Sequence, residues 1–207
     1  MTDNSTLTFI FSLVILIFSV VIHEVSHGYA ALFLGDRTAQ ERGRLTLNPL
    51  KHIDPIGSII FPALSLLLGG FVFGWAKPVP FNPYNLRNRK YGEAIVAAAG
   101  PASNIFIALV FGLILRASPA LAASGTGALV GLIVLINLML GIFNLIPIPP
   151  LDGSRLILFI LPERFAKARG IFDRYGLVVV ILLIFILAPI ASAVVSWLFT
   201  LITGISF

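Results

Sequence analysis

Cysteine is absent from the 207 residues, so disulfides and thiolate ligands are excluded, and any bound metal must be held by histidine or carboxylate. Charge is scarce too. Only 11% of the residues are charged, against roughly a quarter in soluble domains. No polar stretch approaches the roughly 50 residues of a small soluble domain, so no added regulatory or docking module is expected, and no internal repeat occurs. Apolar residues fill the chain instead, at 58% hydrophobic content and a mean hydropathy of +1.02. This composition implies a polytopic protein of the lipid bilayer, organised as one transmembrane domain over residues 1–207.

The formal net charge of +5 does not point to nucleic acid, because the 14 basic residues sit in short segments between apolar runs. There they set topology and meet lipid headgroups. The first apolar segment is too long for a signal-peptide core and lacks a basic start and a cleavage site, so it is expected to remain as a helix.

Four apolar runs are long enough to cross a bilayer: Leu7 to Leu34, Gly92 to Leu115, Gly127 to Ile146 and Leu177 to Ile202. A fifth, Ile56 to Phe73, is shorter, contains Pro62 and is broken by Gly69-Gly70, which suits a re-entrant or broken element. The predicted fold class is therefore an all-α polytopic membrane protein with about four to six transmembrane segments. If the fifth run makes no net crossing, every basic residue except Arg116 falls on one side, which the positive-inside rule assigns to the cytosol. A cytosolic amphipathic segment over 155–175 and a final transmembrane helix over 177–202 complete the plan.

Between the first two long runs, Gly43 to Pro55 begins with alternating apolar and polar residues and predicts a short membrane-associated β-strand followed by a turn. The proline-rich stretch Gly74 to Pro80 is expected to stay extended. Segments near Leu45 to Leu47 or Val79 to Phe81 would then pair with a peptide as an added strand.

The chemistry concentrates in His23-Glu24-Val25-Ser26-His27, set inside the first apolar run. Residues four apart share a helix face, so His23 and His27 direct two imidazoles at one ion, with Glu24 beside them to handle protons. One zinc ion held this way activates water for peptide hydrolysis. A buried Glu24 has few other uses in lipid. A third ligand is needed. The candidates are His52, Asp36, Asp54, Asp152 and Asp173. Asp152 is the strongest, because it follows a crossing helix and three prolines, and Gly153 permits an unusual backbone turn. A turn aspartate is the competing reading of Asp152, and His52 is the replacement ligand. His52 and Asp54 otherwise stabilise the surface turn.

These motifs together resemble the site-2 protease family of intramembrane zinc metalloproteases. The likeness rests on the HExxH pattern of His23, Glu24 and His27, on Leu151-Asp152-Gly153 within the proline-rich Asn144 to Gly153 segment, and on Gly100-Pro101-Ala102-Ser103-Asn104, which resembles a Gly-Pro-x-x-Asn helix start. It spans about residues 20 to 153, within a catalytic core of about 7–153. No PDZ or CBS module and no extra leading helix occurs in these 207 residues, unlike many members. The resemblance implies a metal site of His23, His27 and Asp152 holding one Zn2+, with Glu24 as catalytic residue. It also implies transmembrane protein substrates in regulated intramembrane proteolysis, in a multi-pass protein of the cell membrane whose active site faces the cytosolic side.

Asn104, Asn137 and Asn144 lie in or at the ends of crossing helices. Interhelical hydrogen bonding explains any of them, while Asn104 and Asn144 are also candidates to bind the substrate backbone or a developing oxyanion. Gly28, Gly100 and Gly141 suit close helix packing. Two other function classes fit parts of the pattern. A transmembrane metal-ion transporter would use the same ligands transiently but needs polar groups along its whole path, and a proteolytically silent scaffold would keep the fold alone.

Overall fold

A computed structural model of the chain describes residues 2–60, Leu64, Leu67, 75–160 and 186–206. Long apolar runs become helices because a lipid-embedded backbone has no water to satisfy its N–H and C=O groups. The first run forms α1 (Thr2–Phe33). A short α2 (Thr38–Glu41) follows, then α3 (Arg89–Ala117), the short α4 (Pro119–Ala122), α5 (Gly125–Asn144) and α6 (Asp152–Ile160). The described part of the last run is α7, Ile186–Thr203. Among the described residues four helices are long and apolar enough to cross a membrane: α1 from Ser5, α3 from Tyr91, α5 and α7. Residues 161–185, which include most of the expected amphipathic segment and Asp173, lie outside the described residues.

α3 is the central helix, in contact with α1, α5 and α6. One buried cluster joins α3, α5 and α7 through Ala108, Leu115, Val134, Leu138, Val195, Phe199 and Ile202. Leu7, Phe9, Ile10, Leu13 and Ile17 of α1 point outward, an arrangement that suits lipid rather than water. Arg116, the one basic residue expected on the opposite face, donates to the carbonyl of Leu201 near the end of α7 (2.5 Å).

At the other end of the bundle, α1 stops in a turn at Gly35, whose φ of 108° favours glycine. Buried Asp36 then knots three segments together. Its carboxylate accepts from the Thr38 backbone (3.1 Å) and hydroxyl (2.5 Å), from the Asn82 backbone (2.7 Å) and from Asn85 Nδ2 (2.9 Å).

Three expectations need correction here. Gly43 to Pro55 forms no strand; it runs irregularly into a 3-10 turn at Pro49–Lys51, and no strand occurs among the described residues. The reason is chemical: the neighbouring segment carries Pro78 and Pro80, which have no N–H to give, and its Val79 amide is taken by Glu24, so few donors are left for a ladder. Arg44 Nη2 donates instead to the carbonyls of Lys77 (2.8 Å) and Pro78 (3.4 Å). Second, Gly100 to Asn104 lies in the middle of α3, not at a helix start. Third, Gly153 does not have positive φ. It sits in the first turn of α6, where a side chain would run into the Leu145 and Ile146 carbonyls.

Most of the Ile56 to Phe73 run lies outside the described residues, but its flanks are visible. Trp75 N donates to Gly57 O (3.0 Å) and Lys77 N to His52 O (2.8 Å). The two flanks of the run therefore lie side by side.

Candidate metal centre

His23 and His27 sit four residues apart on α1, so their rings share one face, with centroids 4.7 Å apart and planes at 85°. Each ring is held from behind. His23 Nδ1 lies 2.6 Å from Asn104 Oδ1, and His27 Nδ1 lies 2.6 Å from the Val96 carbonyl, both on α3. Both partners are acceptors, so each Nδ1 carries the proton and each Nε2 presents a lone pair. The two Nε2 atoms are 3.1 Å apart.

Asp152 opens α6 and completes a triangle. Its Oδ2 lies 3.1 Å from His23 Nε2 and 3.2 Å from His27 Nε2. Among the described residues this trio is the one group of histidine and acidic side chains whose ligand atoms all fall within 4.8 Å of one another. Tetrahedral zinc with bonds of about 2.0–2.1 Å spaces its ligand atoms about 3.3 Å apart, close to the observed edges. Two imidazole lone pairs and a carboxylate oxygen facing one point repel one another unless a cation lies between them. A glycine makes the space: a β-carbon on Gly100 would lie 2.6 Å from His23 Nε2. The donor set and the cleared space both fit zinc.

Asn104 is fully buried, and its amide is fully engaged. Besides the contact with His23, its Nδ2 donates to Asn137 Oδ1 (2.9 Å) and to the Ser19 carbonyl (3.3 Å). Asn137 Nδ2 in turn donates to Ser19 Oγ (3.0 Å) and to the Ile133 carbonyl (2.9 Å). The Asn104 amide therefore faces the back of His23, and both N–H groups of its Nδ2 are engaged within the bundle. Asn144 ends α5 and donates from Nδ2 to the Leu140 carbonyl (2.9 Å).

Glu24 lies outside the triangle. Its Oε2 accepts from the backbone N–H of Val79 at 2.8 Å. Val79 belongs to the proline-rich segment, which runs as expected without regular structure over residues 75–82. Arg155 of α6 closes over Phe81 of the same segment, 5.1 Å from the ring centre. The other acid and histidine candidates among the described residues are used elsewhere. Buried His52 contacts the Thr46 carbonyl through Nε2 (2.9 Å), Asp54 accepts from Ile56 N (3.1 Å) and Gly57 N (2.7 Å), and Asp36 ties its knot.

Sequence reasoning read Gly100 as packing and passed over Ser19 and the Val79 amide. Ser19 had a signal, since 19, 23 and 27 fall on one helical stripe; a backbone N–H has none. Gly28 and Gly141 do serve close approach. A β-carbon at Gly28 would meet Leu45 and Val79, and one at Gly141 would meet Ile105 and the Pro101 carbonyl.

Comparison with known proteins converges on the same chemistry. The family model described as Peptidase family M50 matches residues 112–187, which contain Asp152. "Putative zinc metalloprotease YwhC" of Bacillus subtilis is 38% identical over 186 residues, covering 86% of this chain and 81% of that protein. "Putative zinc metalloprotease Rip2" of Mycolicibacterium smegmatis is 34% identical, covering 89% and 68%. Its namesake in Mycobacterium tuberculosis H37Rv is 31% identical, covering 91% and 72%. No solved structure matches. The four apolar helices and these relatives together assign the chain to peptidase family M50, the site-2 protease family, as a multi-pass membrane zinc metalloprotease.

Proposed function

We propose that the protein cleaves peptide bonds in or near the transmembrane segment of membrane-protein substrates, using His23, His27 and Asp152 to hold one zinc ion and Glu24 to move protons. The observation that carries this reading is the triangle of 3.1, 3.1 and 3.2 Å built on a membrane-spanning helix, with Glu24 adjoining it. Zinc held by these three residues would supply Lewis acidity that polarises a carbonyl and acidifies water. Glu24 has one oxygen fixed by Val79 N–H, which orients the other to take a proton from water and pass it to the leaving amine. Asn104 acts from behind, keeping the His23 ring in the tautomer that faces the site.

The extended segment contributes less to substrate pairing than its shape suggests. The N–H groups of Trp75, Lys77, Val79 and Asn82 have partners, Pro78 and Pro80 have none to offer, and Arg44 takes two of its carbonyls. Leu45 and Leu47 differ. Among the described residues their main chain makes no hydrogen bond, and Leu45 packs over Gly28, one residue beyond His27. We assign this edge to the unwound substrate chain. The concentration of basic residues at this end of the bundle supports a site towards the cytosol of a cell membrane.

The test compares wild type with Glu24→Gln, His27→Ala and Asp152→Ala after each is shown to be folded. Glu24→Gln should keep about one zinc per chain and lose proteolysis of membrane substrates, and the other two should lose the metal. Metal retained in Asp152→Ala would move the third ligand elsewhere.

A further inference from the structure

A cavity of about 270 Å³ opens between Arg42, Arg44, Lys77, Pro78 and Pro80. Three cations line it and, among the described residues, no acid does. Among the described residues no carboxylate lies within ion-pair distance of Arg42, Arg44 or Lys77. Arg44 is 8% exposed, and its Nε is buried without a hydrogen-bond partner. A buried guanidinium left with an unused donor among like charges is an unfavourable arrangement that an anion relieves.

The position of the cavity narrows the choice of anion. Lys77 and Pro80 flank Val79, whose amide holds Glu24, and Arg44 directly precedes the unpaired edge at Leu45. We propose that this cavity binds an acidic side chain in the substrate, on the flank of its transmembrane segment, and that Arg42, Arg44 and Lys77 thereby select substrates. The inference rests on the membrane-protein substrate proposed above. Its consequence is discrimination. Cytosolic flanks of membrane helices are ordinarily rich in Lys and Arg, which three cations repel, so ordinary membrane proteins are turned away and those with an acidic flank are admitted.

Binding is measured with the zinc-loaded Glu24→Gln protein in phosphatidylcholine nanodiscs, so that no cleavage intervenes. The probes are fluorescent model peptides, each an apolar Leu/Ala helix followed by a Glu-, Gln- or Lys-containing flank. The Glu flank should bind on the order of tenfold more tightly than the Gln flank, the size of one charge-assisted hydrogen bond. The exposed pair Arg42→Gln/Lys77→Gln, which spares the buried Arg44, should abolish that preference, and Arg42→Glu/Lys77→Glu should turn it towards the Lys flank. Equal binding of all flanks, or a Glu preference that survives the double substitution, overturns the proposal. So does loss of co-purifying phosphatidylglycerol in the double variant without any flank preference, which would make the cavity a lipid-headgroup site. Flank preference in Glu24→Gln with no cleavage of any peptide by wild type sinks the proteolytic reading and leaves the cavity assignment standing; cleavage without preference does the reverse.

Discussion

Gly100 lies directly against His23: a β-carbon there would stand 2.6 Å from Nε2. Gly100→Ala therefore crowds a methyl group against the Nε2 atoms that would hold the ion. Zinc content should fall from about one per chain to near zero, while circular dichroism stays helical, because alanine is a better helix former than glycine. Full zinc occupancy in Gly100→Ala would mean that α3 shifts freely and that the clearance is incidental.

Asn104 offers a second way to weaken the metal without touching a ligand. Asn104→Ala removes the acceptor on His23 Nδ1 and strands Asn137. Zinc affinity should drop about 10–100-fold, as for other outer-shell partners of metal-binding histidines. Asn104→Asp, which still accepts from the imidazole, should recover part of the loss. Titration with a competing chelator reads both, and equal effects of the two substitutions would reduce Asn104 to packing.

Val79→Pro removes the N–H that Glu24 accepts, within a segment already extended between two prolines, and also replaces the buried valine side chain. A hydrogen bond to a charged group corresponds to about 10–100-fold in rate. Cleavage of a model transmembrane substrate should fall by that factor with zinc retained. Val79→Ala, which keeps the amide, is the control and should cleave within a few-fold of wild type.

Burial alone would raise the Asp36 carboxyl, but hydrogen bonds from Thr38, Asn85 and Asn82 outweigh it and hold the group below the ordinary carboxylate range. A folded-state value below the unfolded one means that the stabilisation is full above about pH 4 and is lost as pH falls through the folded value. The thermal midpoint of the detergent-solubilised protein should therefore decline on acidification more steeply in wild type than in Asp36→Asn. At neutral pH Asp36→Asn should cost about 1–3 kcal/mol. Parallel pH curves would assign the acid sensitivity to other groups.

The pairing of His23 with His27 was legible because helical spacing is carried by residue identity four positions apart. Asp152 was reachable from its setting of prolines after a crossing helix. What stayed hidden depends on facing elements. The clearance at Gly100 has meaning only once two imidazoles lie opposite it, and the Asn104 amide looked available until Asn137 and Ser19 were seen to hold it. The strand expected after Gly43 failed because alternation reports a face and not a partner, and the segment that runs beside it carries prolines.

His23 and Asp152 are 129 positions apart along the chain. At synthesis speeds of about 5–20 residues per second, the triangle cannot close for some ten seconds after the histidine pair has been made. Through that interval α1 enters the bilayer with two of the three groups and no complete site. A nascent protease is thus inert among the other newly inserted chains around it, and competence must wait until α1, α3 and α5 have all been made and the chain has reached Asp152.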